Sequence, residues 1–243
     1  MKKHLALLIT LFFSVQTLTA QAAIFALLFG DKVASENFNI SLEIGGAFSS
    51  YSDLDFNDNG KFGLNFGIGG NVKLSENWFV SPNIYFLAQR NTTFNNFSLA
   101  TGDAGLDAQF SNTTAEIELN YIDIPILVTY QTNNKKYRFS LAPQVSLLQK
   151  SRAVYANEKG EFKQNVADYM EDVDYGMVVD FGYVLGKAHK GKGVYLHARY
   201  YYGFNNVFKD IVSTSTNRNS YFSLHLTLPF ITDELANKNL EED

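Results

Sequence analysis

"YIDIPILVTY", residues 121–130, alternates with the period of a β-strand yet carries an acid and a proline. Ile122, Ile124, Ile126, Val128 and Tyr130 share one face, and Tyr121, Asp123, Pro125, Leu127 and Thr129 share the other. A helix would repeat its apolar residues every three to four positions, so a period of two assigns a strand. The first face suits an apolar medium and the second a crowded, partly polar interior. Pro125 forgoes one ladder hydrogen bond. The phase of Ile117 and Leu119 disagrees with that of Ile122, which predicts a bulge near Asn120.

The same alternation recurs along the chain, at Asn39–Ser49, Phe62–Leu74, 79–90, the quoted stretch, Tyr137–Leu148, Tyr175–Gly186, Val194–Phe204 and Tyr221–Phe230. Phe62–Leu74 shows it most cleanly: Phe62, Leu64, Phe66, Ile68, Val72 and Leu74 face one way, and Gly63, Asn65, Gly67, Gly69, Asn71 and Lys73 the other. With 35 Tyr and Phe together (14 and 21) against 4 Pro, strands are favoured throughout. Short connections such as "SEN" and "QTNNKK" alternate with long ones such as 91–115 and 149–173. An even number of antiparallel strands, with short turns at one end and long loops at the other, is the layout of an outer-membrane barrel. The predicted fold is therefore all-β: an eight-stranded antiparallel up-and-down transmembrane β-barrel over 39–230, with periplasmic termini and outward long loops.

What flanks the barrel fits export. Residues 1–22 have a basic start (Lys2, Lys3), an apolar run from Leu5 to Val15, and a small-residue exit at Ala20 and Ala22, the layout of a secretory signal peptide cleaved after one of those alanines. Ile24, Phe25, Leu27 and Leu28 form an apolar stripe, which predicts a short amphipathic periplasmic helix over 23–38. Residues 231–243 read as an acidic periplasmic tail. The chain has no cysteine, which excludes disulfides, thiolate metal sites and a lipidated cysteine. Removing Lys2 and Lys3 from 20 basic residues leaves 18 against 25 acidic ones, so the formal charge of −5 becomes −7 and nucleic acid is excluded as a partner class.

A soluble barrel would also alternate, but with a well-charged outside. Here the apolar face carries no mid-strand charge, and the other face mixes Gly, Ser, Asn, Gln and Tyr with isolated charges. A Lys or Arg facing lipid at mid-depth costs roughly 2–4 kcal/mol. The apolar face is therefore assigned to outer-membrane lipid, and Trp78, Tyr130, Tyr137, Tyr175 and Phe230 to its interfacial girdles. The expected location is the outer membrane of a Gram-negative bacterium. An eight-stranded barrel is just wide enough for side chains to fill. Glu43, Lys73, Asp123, Arg138, Asp180, His197, Arg199 and His225 are accordingly predicted to form a lumenal polar network, with Arg138 or Arg199 pairing Asp123. Inward glycines at 63, 67, 69, 176 and 182 make room for it.

These residues also resemble a known family. "YIDIPILVTY" looks like the fourth-strand motif of PorT-like outer-membrane β-barrel proteins. "APQVSLL" (142–148), "DYGMVVDFGYVLG" (174–186) and "RYYYGFNNV" (199–207) are similar to the family's later strands, in the same order. The resemblance implies an outer-membrane barrel whose namesake is associated with protein secretion, and strand motifs alone do not carry that role over.

Three groups of residues carry patterns associated with chemistry. Ser223, His225 and Thr227 share a face with His197 across the strand, a nucleophile and base pattern, but an inward pair meets no acyl chain. "DFNDNG" (55–60) begins like a calcium loop at Asp55, Asn57, Asn59 and Gly60, yet Phe66 stands where a bidentate acid is needed. The charged network is read as structural. No cofactor or metal is expected. The functional expectation is a non-enzymatic barrel that presents its long loops and supports an envelope or secretion complex. A narrow-channel transporter and a lipid-modifying enzyme stand as the competing classes.

Overall fold

The computed structural model describes residues 37–52, 58–95, 102–111, 113–158, 160–185 and 193–230. The leader, the expected helix up to residue 36 and the tail 231–243 lie outside the described residues. The elements are β1 (Phe38–Tyr51), β2 (Asp58–Gly60), β3 (Phe62–Lys73), β4 (Trp78–Gln89), β5 (Thr92–Phe94), α1 (Ala104–Gln109), β6 (Ala115–Gln131), β7 (Tyr137–Asn157), β8 (Gly160–Asn165), β9 (Val173–Val184), β10 (Tyr195–Asn206) and β11 (Arg218–Pro229). A single 3-10 turn, Ala167–Tyr169, lies between β8 and β9. Among the described residues no helix is long and apolar enough to cross a membrane.

β1, β3, β4, β6, β7, β9, β10 and β11 form a ring of antiparallel neighbours, closed by the pairing of β11 with β1. Closure leaves no unpaired edge at membrane depth, where a free amide has no water to bond. β2, β5 and β8 do not enter the ring. β5 pairs with the start of β6, β2 with β5, and β8 with the end of β7, so one side of the long-loop end rises as extra sheet.

That rise corrects two expectations. β7 runs to Asn157 and not to Leu148, while β6 begins at Ala115, where the expected long connection 91–115 ends. The β6–β7 register does shift between Asn120 and Tyr121, where the bulge is expected, but β6 keeps its phase along its whole length and the extra residue belongs to its partner. Ile117 and Leu119 point inward, at 0% and 1% exposure, while Ile122, Ile124, Ile126 and Val128 point outward. The apolar residues change face because the dry side changes: lipid lies outside the lower wall, and only the interior is dry above it. The bulges sit on the two neighbours of β6. Phe86 is the extra residue in β4, between the Tyr85–Asp123 and Ala88–Tyr121 pairs, and Gln149 is the extra residue in β7.

The outward row of β6 marks the membrane band. It runs from Ile122 to Tyr130, which packs on Trp78 with ring centres 5.3 Å apart. About nine residues at about 3.3 Å each, tilted by about 40°, rise roughly 23 Å, close to the apolar band of such barrels. Beyond Ile122 the outward positions become Asn120, Glu118 and Glu116; Glu118 pairs with Arg152, and Glu116 with Lys61 at 2.6 Å. Elsewhere the belt includes Phe48, Leu64, Leu141, Val179 and Leu224, all more than half exposed to the surroundings. Such a surface is sustained by lipid and not by water.

Candidate functional site

The lumen is filled in tiers, built by inward residues of successive strands. Nearest the short turns, Arg138 lies 4.0 Å over the Tyr195 ring and 5.2 Å from Phe79. Lys73 shares the inward phase of β3 but sits at its last position, exposed at the turn, so it joins no lumenal network. Above Arg138 lies a polar cavity of about 20 Å³, lined among others by Ser81, Asn83, Thr129 and Ser140. It has room for a water or two and not for a metabolite.

The lower charged tier borders that cavity. Asp180 accepts from Arg199 Nε at 3.0 Å and lies 2.7 Å from His197 Nδ1. Arg199 Nη1 donates to Tyr85 Oη at 2.8 Å. Glu43 accepts from Ser41 Oγ at 2.8 Å and Thr227 Oγ1 at 2.7 Å. His225 Nε2 stands 3.5 Å from Glu43 Oε2 and 3.9 Å from Asp180 Oδ2. Space for these side chains comes from glycines across the strand. A Cβ on Gly182 would lie 2.7 Å from His197 Cε1, and one on Gly67 would lie 2.7 Å from the Tyr85 Cα.

Asp123 does not belong to that tier, and neither Arg138 nor Arg199 pairs with it. Its partner is Arg90, which donates from Nη2 to Asp123 Oδ1 (2.6 Å) and Ser146 Oγ (2.8 Å), and from Nη1 to Asp174 Oδ2 (2.8 Å). Arg90 is 1% exposed and lies under three rings, Tyr121 at 4.3 Å, Tyr221 at 5.0 Å and Tyr201 at 5.1 Å. Sequence phase missed Arg90 because simple alternation from Tyr85 points position 90 outward, and the bulge at Phe86 turns it in. Asp174 was in phase but one residue before the predicted sixth strand. Between the two tiers, Leu127, Ala142, Val178, Tyr201 and Tyr221 form a small packed layer.

Above Arg90 the raised sheet and the loops pack into a second core. Tyr51, Phe94 and Phe208 meet at ring distances of 5.4–6.5 Å, and Phe110 meets Tyr155 at 6.3 Å. Ile117, Leu119, Val166, Met170 and Val207 complete it. Burial pushes the Tyr155 hydroxyl up to about 12, and this hydroxyl has no hydrogen-bond partner among the described residues. Among the described residues, the lumen is therefore blocked by an ion-pair tier and then by an aromatic cap. Alternation in the sequence carries no signal that aromatics of these separate loops converge.

The enzymatic and calcium patterns gain no geometry. Ser223 and His225 both point into the filled lumen, away from lipid, and His225 Nε2 faces the carboxylates of Glu43 and Asp180. Asn59 and Gly60 lie in β2, paired with Thr93 and Thr92 of β5, while Asp55 and Asn57 fall outside the described residues.

The family model for the outer membrane protein beta-barrel domain matches residues 20–209. The chain belongs to this family. Its place is the outer membrane of a Gram-negative bacterium. No curated protein matches the chain. Solved structures similar in fold include Neisserial surface protein A (13% identity, 79% of this chain and 96% of that one, TM-score 0.41). Others are the attachment invasion locus protein Ail of Yersinia pestis (11%, 81% and 100%, TM-score 0.41) and the outer membrane protein OprG of Pseudomonas aeruginosa (11%, 79% and 93%, TM-score 0.34).

Proposed function

We propose that this outer-membrane barrel is a non-enzymatic, non-conducting component whose working surface is the ordered cap, presented outward to a protein partner of the envelope. The observation that carries this reading is the cap itself. A plain pore former gains nothing from sealing its lumen with Phe94, Phe208 and Tyr51. A scaffold gains a rigid, raised platform of β2, β5, β6, β7 and β8. The finer assignment to PorT-like barrels, with a secretion-related complex as partner, rests on the order of the strand motifs in 121–207.

The chain has no cysteine, so Lys163→Cys in β8 creates a unique attachment point for a cross-linker. In native membranes this variant should yield one discrete adduct, lost when residues 158–166 are replaced by a short Gly-Ser turn. A chain that remains un-cross-linked and passes ions would contradict the reading.

A further inference from the structure

The lower tier holds an arrangement that neither the barrel wall nor the cap requires. His197 and His225 are direct register partners on β10 and β11, so their side chains rise together from one face. Their rings lie 4.8 Å apart and 14° from parallel. Asp180 on β9 is diagonal to His197, opposite which Gly182 leaves the space empty of a side chain. Ring nitrogens of both histidines and a carboxylate oxygen of Asp180 come within 4.8 Å of one another, and all three residues are buried.

Hydrogen bonding does not complete this set. His197 Nε2 and His225 Nε2 are both buried without a hydrogen-bond partner among the described residues. His197 Nδ1 is engaged with Asp180 Oδ1 at 2.7 Å, which leaves its Nε2 as a lone pair facing no donor. His225 Nε2 is aimed at Glu43 and Asp180 from distances too long for a hydrogen bond, 3.5 and 3.9 Å. As a lone pair it meets acceptors, and as an N–H it reaches none. Two carboxylates, Glu43 and Asp180, border the cavity with two arginines: Arg199, whose Nε and Nη1 are used on Asp180 and Tyr85, and Arg138, which lies over the Tyr195 ring.

The geometry points to a cation site: Asp180, His197 and His225 bind one first-row divalent metal ion of the zinc type, which displaces the proton between His197 Nδ1 and Asp180 Oδ1 and takes a ring nitrogen of His225 as its third ligand. Imidazole nitrogen with carboxylate is the donor set such ions prefer, whereas calcium and magnesium take oxygen alone. Zinc binds imidazole nitrogen at about 2.0–2.1 Å and in the plane of the ring, so one of the two stacked rings turns about its χ2 angle as the ion enters. Glu43 and the adjacent cavity supply the fourth position, by its carboxylate or by a water. Arg199 holds Asp180 in place from behind, as outer partners do in such sites. The cavity lies in the half of the lumen nearer the short turns, so the ion arrives from that side, below the cap.

The test uses the folded barrel in detergent, stripped with a chelator and titrated with zinc chloride against a chromophoric competitor. The intact protein should take up one zinc per chain, and cobalt in its place should show the visible absorption of a low-coordinate nitrogen–oxygen site. H197Q and H225Q should each weaken zinc binding by about tenfold or more, while H189Q, outside the set, should leave it unchanged. Heat-modifiable gel migration shows whether each variant is folded. Should the two variants fail to fold, the zinc stoichiometry and cobalt spectrum of the intact protein decide alone. No zinc uptake by the intact protein, or uptake indifferent to H197Q and H225Q in folded variants, would overturn the assignment.

Discussion

Compare the two halves of β6. From Tyr121 to Gln131 the strand shows isoleucine and valine to its surroundings and hides Asp123; from Ala115 to Asn120 it hides Ile117 and Leu119 and shows Glu116 and Glu118. No residue slips between the halves. Alternation therefore fixes only which residues share a face, and the medium on each side decides which face is apolar. In the lower half lipid surrounds the wall and the lumen is polar; in the upper half water surrounds the wall and the cap is apolar.

The largest effect expected from breaking this arrangement lies in the hidden ion pairs. Arg90→Ala leaves Asp123 and Asp174 buried without their cation, and should cost about 3–5 kcal/mol in urea unfolding followed by gel migration. Arg152→Ala, removing an equally charged residue from the water-facing wall, should cost less than about 1 kcal/mol. Equal losses for the two would mean that the outer wall of β7 is not solvated.

A single substitution placed at two heights sharpens the contrast. Ile126→Lys puts a charge into lipid at mid-depth and should destabilise the barrel by about 2–4 kcal/mol. Glu118→Lys, on the same face of the same strand, should change stability by less than about 1 kcal/mol. The smallest effect belongs to the cap. Tyr155 keeps its hydroxyl neutral up to about 12 against an ordinary 10.0, so stability is unaffected by it below pH 10 and falls as pH rises toward 12, where only the unfolded chain ionises. Tyr155→Phe removes an unpartnered buried hydroxyl and should be neutral to stabilising by up to about 1 kcal/mol. It should also flatten the loss of stability between pH 10 and 12, read from the same unfolding curves.

The comparison also explains what could be read in the chain without coordinates. The ring of eight strands and its lipid face followed from alternation, because a period of two survives small errors in strand ends. The partner of Asp123 did not follow, because one extra residue at Phe86 inverts the phase of everything after it in β4. Lys73 had the right phase and the wrong depth, since alternation carries no information about height along the barrel. The cap was illegible for another reason: Tyr51, Phe94, Phe110, Tyr155 and Phe208 come from five separate segments, and only tertiary structure brings them together. The sequence pattern at Ile117 and Leu119 did signal the change of medium, but it reads equally as a bulge.

Closure of the lumen among the described residues rests on the Arg90 tier and on the cap above it. Its most direct test is single-channel recording of the folded, full-length barrel in planar bilayers. The account predicts no steady conductance in molar salt at moderate voltage. Stable, reproducible channel openings of the unmodified protein would contradict it.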